Sequence, residues 1–320
     1  MTRVVFMGTP DFAVPSLEAL CAHHQVALVI TQPDRKQGRG QKLSSPPVKT
    51  VALRHELPIW QPETLRTPEA IDRLRATHAD VYITAAIGFI LPPAVLALPP
   101  HGCLNLHASL LPRWRGAAPV SAAILNGDPE SGVTLMQMDE GLDTGPIVAQ
   151  VHCSIAPDDT TETLTHRLAA MGAELLTAAL PRWMNDEIVP QAQPSEGITY
   201  SERLSRASGW IDWRQPATVL ERMTRAYTPW PGTYTTYGGQ RLKIVRARAL
   251  PDWHEASPPG CAILLPDRRI AVSTGQGVLV LHEIQLAGKR AMSVDAFYRG
   301  NPDFVGSTLG QMDQVPEQSR

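Results

Sequence analysis

Short apolar runs punctuate the first half of the chain, each followed by a turn and then a mixed polar–apolar stretch. Arg3-Val4-Val5-Phe6-Met7, Val26 to Thr31 and Val81 to Ala85 are too short for helices and rich in β-branched residues, so they predict buried strands. A shorter strand fits 58–60. Between them the spacing predicts helices running to about His23, over 46–55 and over 68–78. Thr9 reads as the N-cap of the first helix, Pro10 as its first position and Asp11 as a complement to its dipole. This alternation predicts an α/β domain on a mostly parallel sheet. The opening strand–turn–helix–strand has the layout of a nucleotide-binding βαβ unit but lacks G-x-G-x-x-G, so no dinucleotide is indicated.

The pattern continues with a helix near Ala117 to Leu125, strands Val133 to Met138 and Pro146 to Ile155, and a long amphipathic helix from Thr161 to Trp183. It then changes character. Residues 190–208 are polar, carry Pro190, Pro194 and Gly197, and read as a linker between a first domain, 1–189, and a second, 209–320. After a short helix from Val219 to Ala226, five segments (233–237, 240–249, 261–265, 269–273 and 277–284) read as strands, the size of an OB-like β-barrel. Within the second of these, Arg241, Lys243, Arg246 and Arg248 alternate and then slip phase between 244 and 245. A β-bulge there would keep all four cations near one face.

Charge sharpens this division. Residues 1–208 hold 16 Lys and Arg against 21 Asp and Glu, whereas 209–320 hold 13 against 10. Seven basic residues in 214–248 meet the single acid Glu221. A second basic patch, 33–49, sets Arg35, Lys36, Arg39, Lys42 and Lys49 against Asp34, among glycines and serines. One such patch is ordinarily a solvated face, and the loop 33–47 reads equally as a disordered insertion or as a finger that orders against phosphate. Two patches on an otherwise acidic chain favour a polyanionic partner. The four cysteines are scattered without zinc-ligand spacing, which points to a reduced, cytoplasmic enzyme with no metal. The longest apolar stretch, Ala85 to Pro100, is cut by four prolines, so no membrane span is expected. Nothing in the sequence calls for more than a monomer.

Candidate chemistry concentrates in Cys103 to Pro119. Asn105 and His107 break into an apolar strand on one face, about 7 Å apart. A second strand runs into Asp139-Glu140-Gly141-Leu142-Asp143-Thr144-Gly145, which sets carboxylates among glycines at another strand end. Each residue alone has a structural explanation: a core histidine, a turn-capping aspartate. An amide, an imidazole and a carboxylate at neighbouring strand ends together suit acyl transfer through a tetrahedral oxyanion. Ser109 and Cys103 lack an evident general base, which favours direct transfer to an amine over a covalent intermediate. The apolar turn 86–92 would wall a flat ligand or serve as ordinary core.

Four segments carry a resemblance. Met7-Gly8-Thr9-Pro10-Asp11-Phe12-Ala13, the loop Gln32-Pro33-Asp34-Arg35 through Gly38-Arg39-Gly40, the run Asn105 to Pro119 and the run Met136 to Gly145 are similar to the folate-dependent formyltransferase family, its methionyl-tRNA branch above all. Ile211-Asp212-Trp213 and Pro229-Trp230-Pro231 extend the similarity to nearly the whole chain. The resemblance implies a Rossmann-like domain joined to an OB-like barrel, 10-formyltetrahydrofolate as donor and methionyl initiator tRNA as acceptor. It implies Asn105, His107 and Asp143 as catalytic residues. It puts Ser109, Leu110, Leu111 and Pro112 on the folate, with Ile87, Gly88, Leu91, Met138 and Leu142 walling the pterin. It puts Arg39 against the tRNA, which agrees with the reading of the basic loop, Arg35, Lys36 and Lys42 included, as a phosphate-binding finger. The chain departs from the family in Ile87, where tyrosine is common, and in Val120-Ser121-Ala122, where Ile-Gln-Arg is common. Other amine-formylating transferases of the superfamily, a folate-dependent hydrolase and an RNA-binding module without catalysis are the alternatives.

Overall fold

A computed structural model of the chain describes residues 1–37, 42–254 and 257–310. The chain divides into two compact units. The first comprises Met1–Pro119, Pro129–Ile155 and Thr163–Glu202, and the second Val120–Asp128, Ala156–Glu162 and the chain from Arg203 onward.

The first unit is built on a seven-stranded sheet of β1 (Arg3–Gly8), β2 (Gln25–Ile30), β5 (Ile59–Trp60), β6 (Val81–Ala85), β7 (Cys103–His107), β9 (Glu130–Gln137) and β10 (Ile147–Ser154), in the order β10-β9-β7-β6-β1-β2-β5. From β5 to β7 all pairings are parallel, while β9 and β10 add antiparallel edges. The central strands are buried along nearly their whole length, as strands covered on both faces must be. On one face Val5, Met7, Leu28, Ile30, Tyr82 and Cys103 pack with Leu65, Leu74, Leu91 and Val95 into a single core cluster.

Strand order reverses between β1 and β6, because β2 and β5 extend one way and the chain then returns to the other side of β1. The carboxyl ends of β1, β6 and β7 open at this switch point, where open α/β sheets bind ligands. The helices of this unit are α1 (Val14–His23), α2 (Pro47–Arg54), α3 (Pro68–Arg75), α4 (Pro93–Leu96) and α6 (Thr161–Met184), while α5 (Pro119–Asn126) belongs almost wholly to the second unit. The Thr67 hydroxyl caps α3 by accepting the Ala70 N–H, and Pro68 occupies its first turn.

Two expectations are corrected here, and a third is narrowed. Thr9 does not cap a helix: a short 3-10 turn, Asp11–Ala13, precedes α1, and the Thr9 hydroxyl accepts from the Gln32 N–H and donates to the Ile87 carbonyl. The described ends of the basic loop pair, β3 (Arg35–Gln37) antiparallel to β4 (Lys42–Ser44), with Arg35 opposite Ser44, while residues 38–41 lie outside the described residues. Backbone pairing of the two arms supplies the order that composition could not reveal. The segment 190–208 is no free linker along its first part. Gln191 pairs with Ile147 by two backbone hydrogen bonds, and β11 (Tyr200–Ser201) lies parallel to β8 (Arg115–Gly116) within the first unit.

In the second unit, α7 (Ala217–Ala226) precedes an antiparallel, OB-like sheet ordered β12 (Thr233–Tyr237), β13 (Gln240–Leu250), β16 (Val278–Leu286), β15 (Ile270–Ser273), β14 (Ala262–Leu264), with β17 (Met292–Ser293) paired to β16. The register of β13 on β16 shifts between Ile244 and Arg246, the bulge the charge pattern predicts. The chain then adds α8 (Val294–Gly300), capped by the Ser293 hydroxyl, which the strand pattern did not anticipate. Tyr237, Phe297 and Phe304 close this end of the sheet edge-to-face, with centroids 5.1–5.8 Å apart.

Candidate active site

The end of β7 carries both polar residues that the pattern singles out. Asn105 is half-buried and His107 is 6% exposed. Beyond His107 the chain turns sharply, with Trp114 in the left-handed region at φ 57°. That turn aims the Trp114 carbonyl back at the histidine, where it lies 2.8 Å from Nε2. A carbonyl only accepts, so Nε2 carries a hydrogen, and the other ring nitrogen, Nδ1, is turned toward Asp143. Oδ2 of Asp143 stands 3.7 Å from Nδ1.

Asp143 comes from the loop after β9, itself in the left-handed region at φ 53°, which aspartate tolerates better than most residues. Its Oδ2 accepts the Gly116 N–H at 2.8 Å. Gly116 has φ 108°, and a Cβ there would lie 2.5 Å from the Ser201 carbonyl oxygen. Glycine is required for the backbone to reach the carboxylate while pairing with β11. Gly145 answers a similar need, since a Cβ on it would meet the Gln137 carbonyl at 1.8 Å.

Two residues that sequence reasoning missed hold this arrangement. Gln193 donates through Nε2 to the carbonyls of Asp143 and Gly145, each at 2.8 Å. Its Oε1 accepts from Nε and Nη2 of the buried Arg115 at 3.1 and 2.7 Å. No sequence signal marks it, for it lies in the polar segment that reads as linker. Thr84, 1% exposed, places its hydroxyl 2.7 Å from Oδ1 of Asn105. Its signal was faint, a single hydroxyl in the apolar run 81–85.

The residues expected to meet the folate occupy mixed environments. Ser109 is fully buried and donates to the Arg113 carbonyl at 2.6 Å. Leu110 is half-buried and Leu111 buried, and the Leu111–Pro112 bond is cis. Thr134 and Gln150 tether this turn by bonding to the backbone of Ser109 and Leu111. Ile87 is buried, and its carbonyl accepts from Gln32 Nε2 at 3.2 Å beside Gly88, which sits at φ 76°. Leu91 belongs to the core cluster, with Met138 packed against it. Leu142 is 59% exposed at the lip of the Asp143 loop, and Ile90 is 73% exposed in the turn after Ile87.

The expected RNA contacts also differ among themselves. Arg35 is exposed and reaches Gln32 Oε1 at 3.1 Å, so Gln32 joins the base of the basic loop to the Ile87 turn. Lys36 and Lys42 are on the paired arms, and Arg39 lies outside the described residues. Asp34, at the foot of the loop, is held below the usual carboxylate range by hydrogen bonds from Lys49 and Gln61. In the second unit Arg241 stacks over the Tyr234 ring at 3.5 Å and Lys243 is half-buried. Arg246 is exposed, whereas Arg248 is paired with Glu221 at 3.0 Å. Among the described residues, no cluster of His, Cys, Asp and Glu is arranged to hold a metal ion, and no helix is long and apolar enough to cross a membrane.

Comparison with known proteins places this geometry in a family. Residues 2–180 match the formyl transferase family model, and 203–302 match the model of the formyl transferase C-terminal domain. A methionyl-tRNA formyltransferase of Thiobacillus denitrificans is 50% identical over 96% of this chain and 99% of its own. That of Myxococcus xanthus is 47% identical over 95% and 97%. Among solved structures, an N-formyltransferase of Helicobacter canadensis in complex with folinic acid and dTDP-3-aminofucose superposes with a TM-score of 0.64 over 91% of this chain and all of its own. At 20% identity that likeness speaks to the fold alone. The near-complete coverage at half identity decides the matter: the chain belongs to the formyltransferase family, among its methionyl-tRNA formyltransferases.

Proposed function

We propose that the protein transfers the formyl group of 10-formyltetrahydrofolate to the α-amino group of methionyl initiator tRNA. The observation that carries this reading is the meeting of His107 and Asp143 beside Asn105 at the carboxyl ends of the central strands, in a chain that shares half its residues with such enzymes. The neutral amine attacks the formyl carbon, and the carbonyl electron pair moves onto oxygen. Asn105 Nδ2 donates to that oxyanion, with His107 beside it. Collapse re-forms the C=O and breaks the bond from carbon to N10 of the folate. The proton lost by the amine passes through the Asp143–His107 pair, and N10 takes a proton as it leaves, so protons balance over the turnover.

The first unit carries this chemistry, with Ser109 to Pro112, Ile87, Gly88, Leu91, Met138 and Leu142 around the folate. The basic loop and the cationic side of β13 meet the tRNA phosphates. The enzyme works as a monomer in the cytoplasm and requires no metal.

One assay tests the reading. The donor is incubated with charged initiator tRNA, with charged elongator tRNA and with water alone. Formyl-methionine formed on the initiator is the expected product. Free formate in water at a comparable rate indicates a hydrolase, and tRNA binding without turnover indicates an RNA module; either overturns the proposal.

A further inference from the structure

Thr84 on β6 and Asn105 on β7 are lateral neighbours in the parallel ladder, so their side chains rise from the same face of the sheet. Thr84 Oγ1 lies 2.7 Å from Asn105 Oδ1. That is the normal length of an O–H···O bond and short for N–H···O. Two other acceptors, the Leu104 carbonyl at 3.3 Å and Met138 Sδ at 3.4 Å, stand farther off. A hydroxyl has one proton to give, and the shortest contact takes it. Thr84 is 1% exposed, so bulk water does not compete.

We propose that Thr84 is a positioning residue for Asn105: its buried hydroxyl holds Oδ1 and so turns Nδ2 toward the reacting oxygen. An amide is nearly symmetric in shape, and packing alone does not choose its orientation. Turned over, Asn105 would present a carbonyl oxygen to a developing oxyanion, and stabilisation would become repulsion. Thr84 itself touches neither donor nor acceptor in this scheme. The inference rests on the role proposed above for Asn105.

The test compares formylation of charged initiator tRNA by wild type, Thr84→Val, Thr84→Ser, Asn105→Ala and the double variant Thr84→Val/Asn105→Ala. Thr84→Val keeps shape and loses the hydroxyl, and Thr84→Ala serves if the valine variant does not fold. The expected result is a kcat lowered about five- to tenfold in Thr84→Val, the worth of one hydrogen bond expressed as rate. KM for both substrates stays constant, Thr84→Ser restores kcat, and Thr84→Val adds nothing once Asn105 is alanine. A merely structural threonine would lower the unfolding midpoint and act equally in both backgrounds. A slow Asn105→Ala beside a Thr84→Val of wild-type kcat, or an equal cost in both backgrounds, overturns this inference alone. Asn105→Ala with the wild-type rate overturns the site assignment and this inference with it.

Discussion

The carboxylate of Asp143 approaches Nδ1 of His107 to 3.7 Å although helix α5 and strand β9 separate them in the chain. The distance is longer than a direct hydrogen bond. The same oxygen, Oδ2, accepts the Gly116 N–H, which holds the carboxylate at the ring.

Asp143→Asn keeps an oxygen for the Gly116 N–H and removes the charge. Single-turnover formylation is expected to fall roughly 10²-fold or more, the scale of losing a proton-transfer partner. His107→Ala and Asn105→Ala are expected to fall by roughly 10²–10³-fold. A variant of the three that keeps wild-type single-turnover rates removes that residue from the mechanism.

Gln193→Ala leaves the buried guanidinium of Arg115, 7% exposed, without its glutamine partner and frees two carbonyls of the Asp143 loop. A loss of about 1–3 kcal/mol in unfolding free energy is expected. Faster amide exchange in 139–145 should accompany it. Unchanged exchange there would show that the loop holds its shape by other means.

Arg246 is exposed, whereas Arg248 spends its charge on Glu221. If Arg246 neutralises a phosphate, Arg246→Ala weakens tRNA binding and lowers the log–log salt slope by about 0.7–0.9, with folate affinity intact. Arg248→Ala should change the slope less. Equal slopes for wild type and Arg246→Ala would take this face off the RNA.

Burial pushes the Cys103 thiol from 9.0 up to about 12 and the Tyr82 hydroxyl from 10.0 up to about 12. Both groups stay protonated in the folded chain while the unfolded chain ionises. Their contribution is therefore complete below pH 9 and declines as pH rises from 9 toward 12. Urea midpoints measured from pH 8 to 10.5 should fall with pH, and less steeply in Cys103→Ala. Cys103 should also resist iodoacetamide at pH 8 until the protein unfolds.

The mostly parallel sheet, the antiparallel OB-like sheet that follows it and the polar residues at the ends of β7 and β9 are all legible in the chain. The reason is local: buried strands announce themselves as apolar runs, and polar residues at their ends stand out against that background. The bulge in β13 was legible for the same reason, because alternation is a property of neighbours. Other features depend on pairings between distant segments. Gln193 lies in a polar stretch whose composition says linker, and the pairing of Gln191 with Ile147, two residues away, brings its amide to the Asp143 loop. Thr84 sits in an apolar run, and only the register of β6 on β7 puts its hydroxyl beside Asn105. The two described arms of the basic loop pair through cross-strand contacts that its composition does not encode. The sequence by itself determined which groups are available and which strand ends carry them. The tertiary structure alone decided their orientation, because a hydrogen bond acts over about 3 Å and the partners that aim these side chains arrive from elsewhere in the chain.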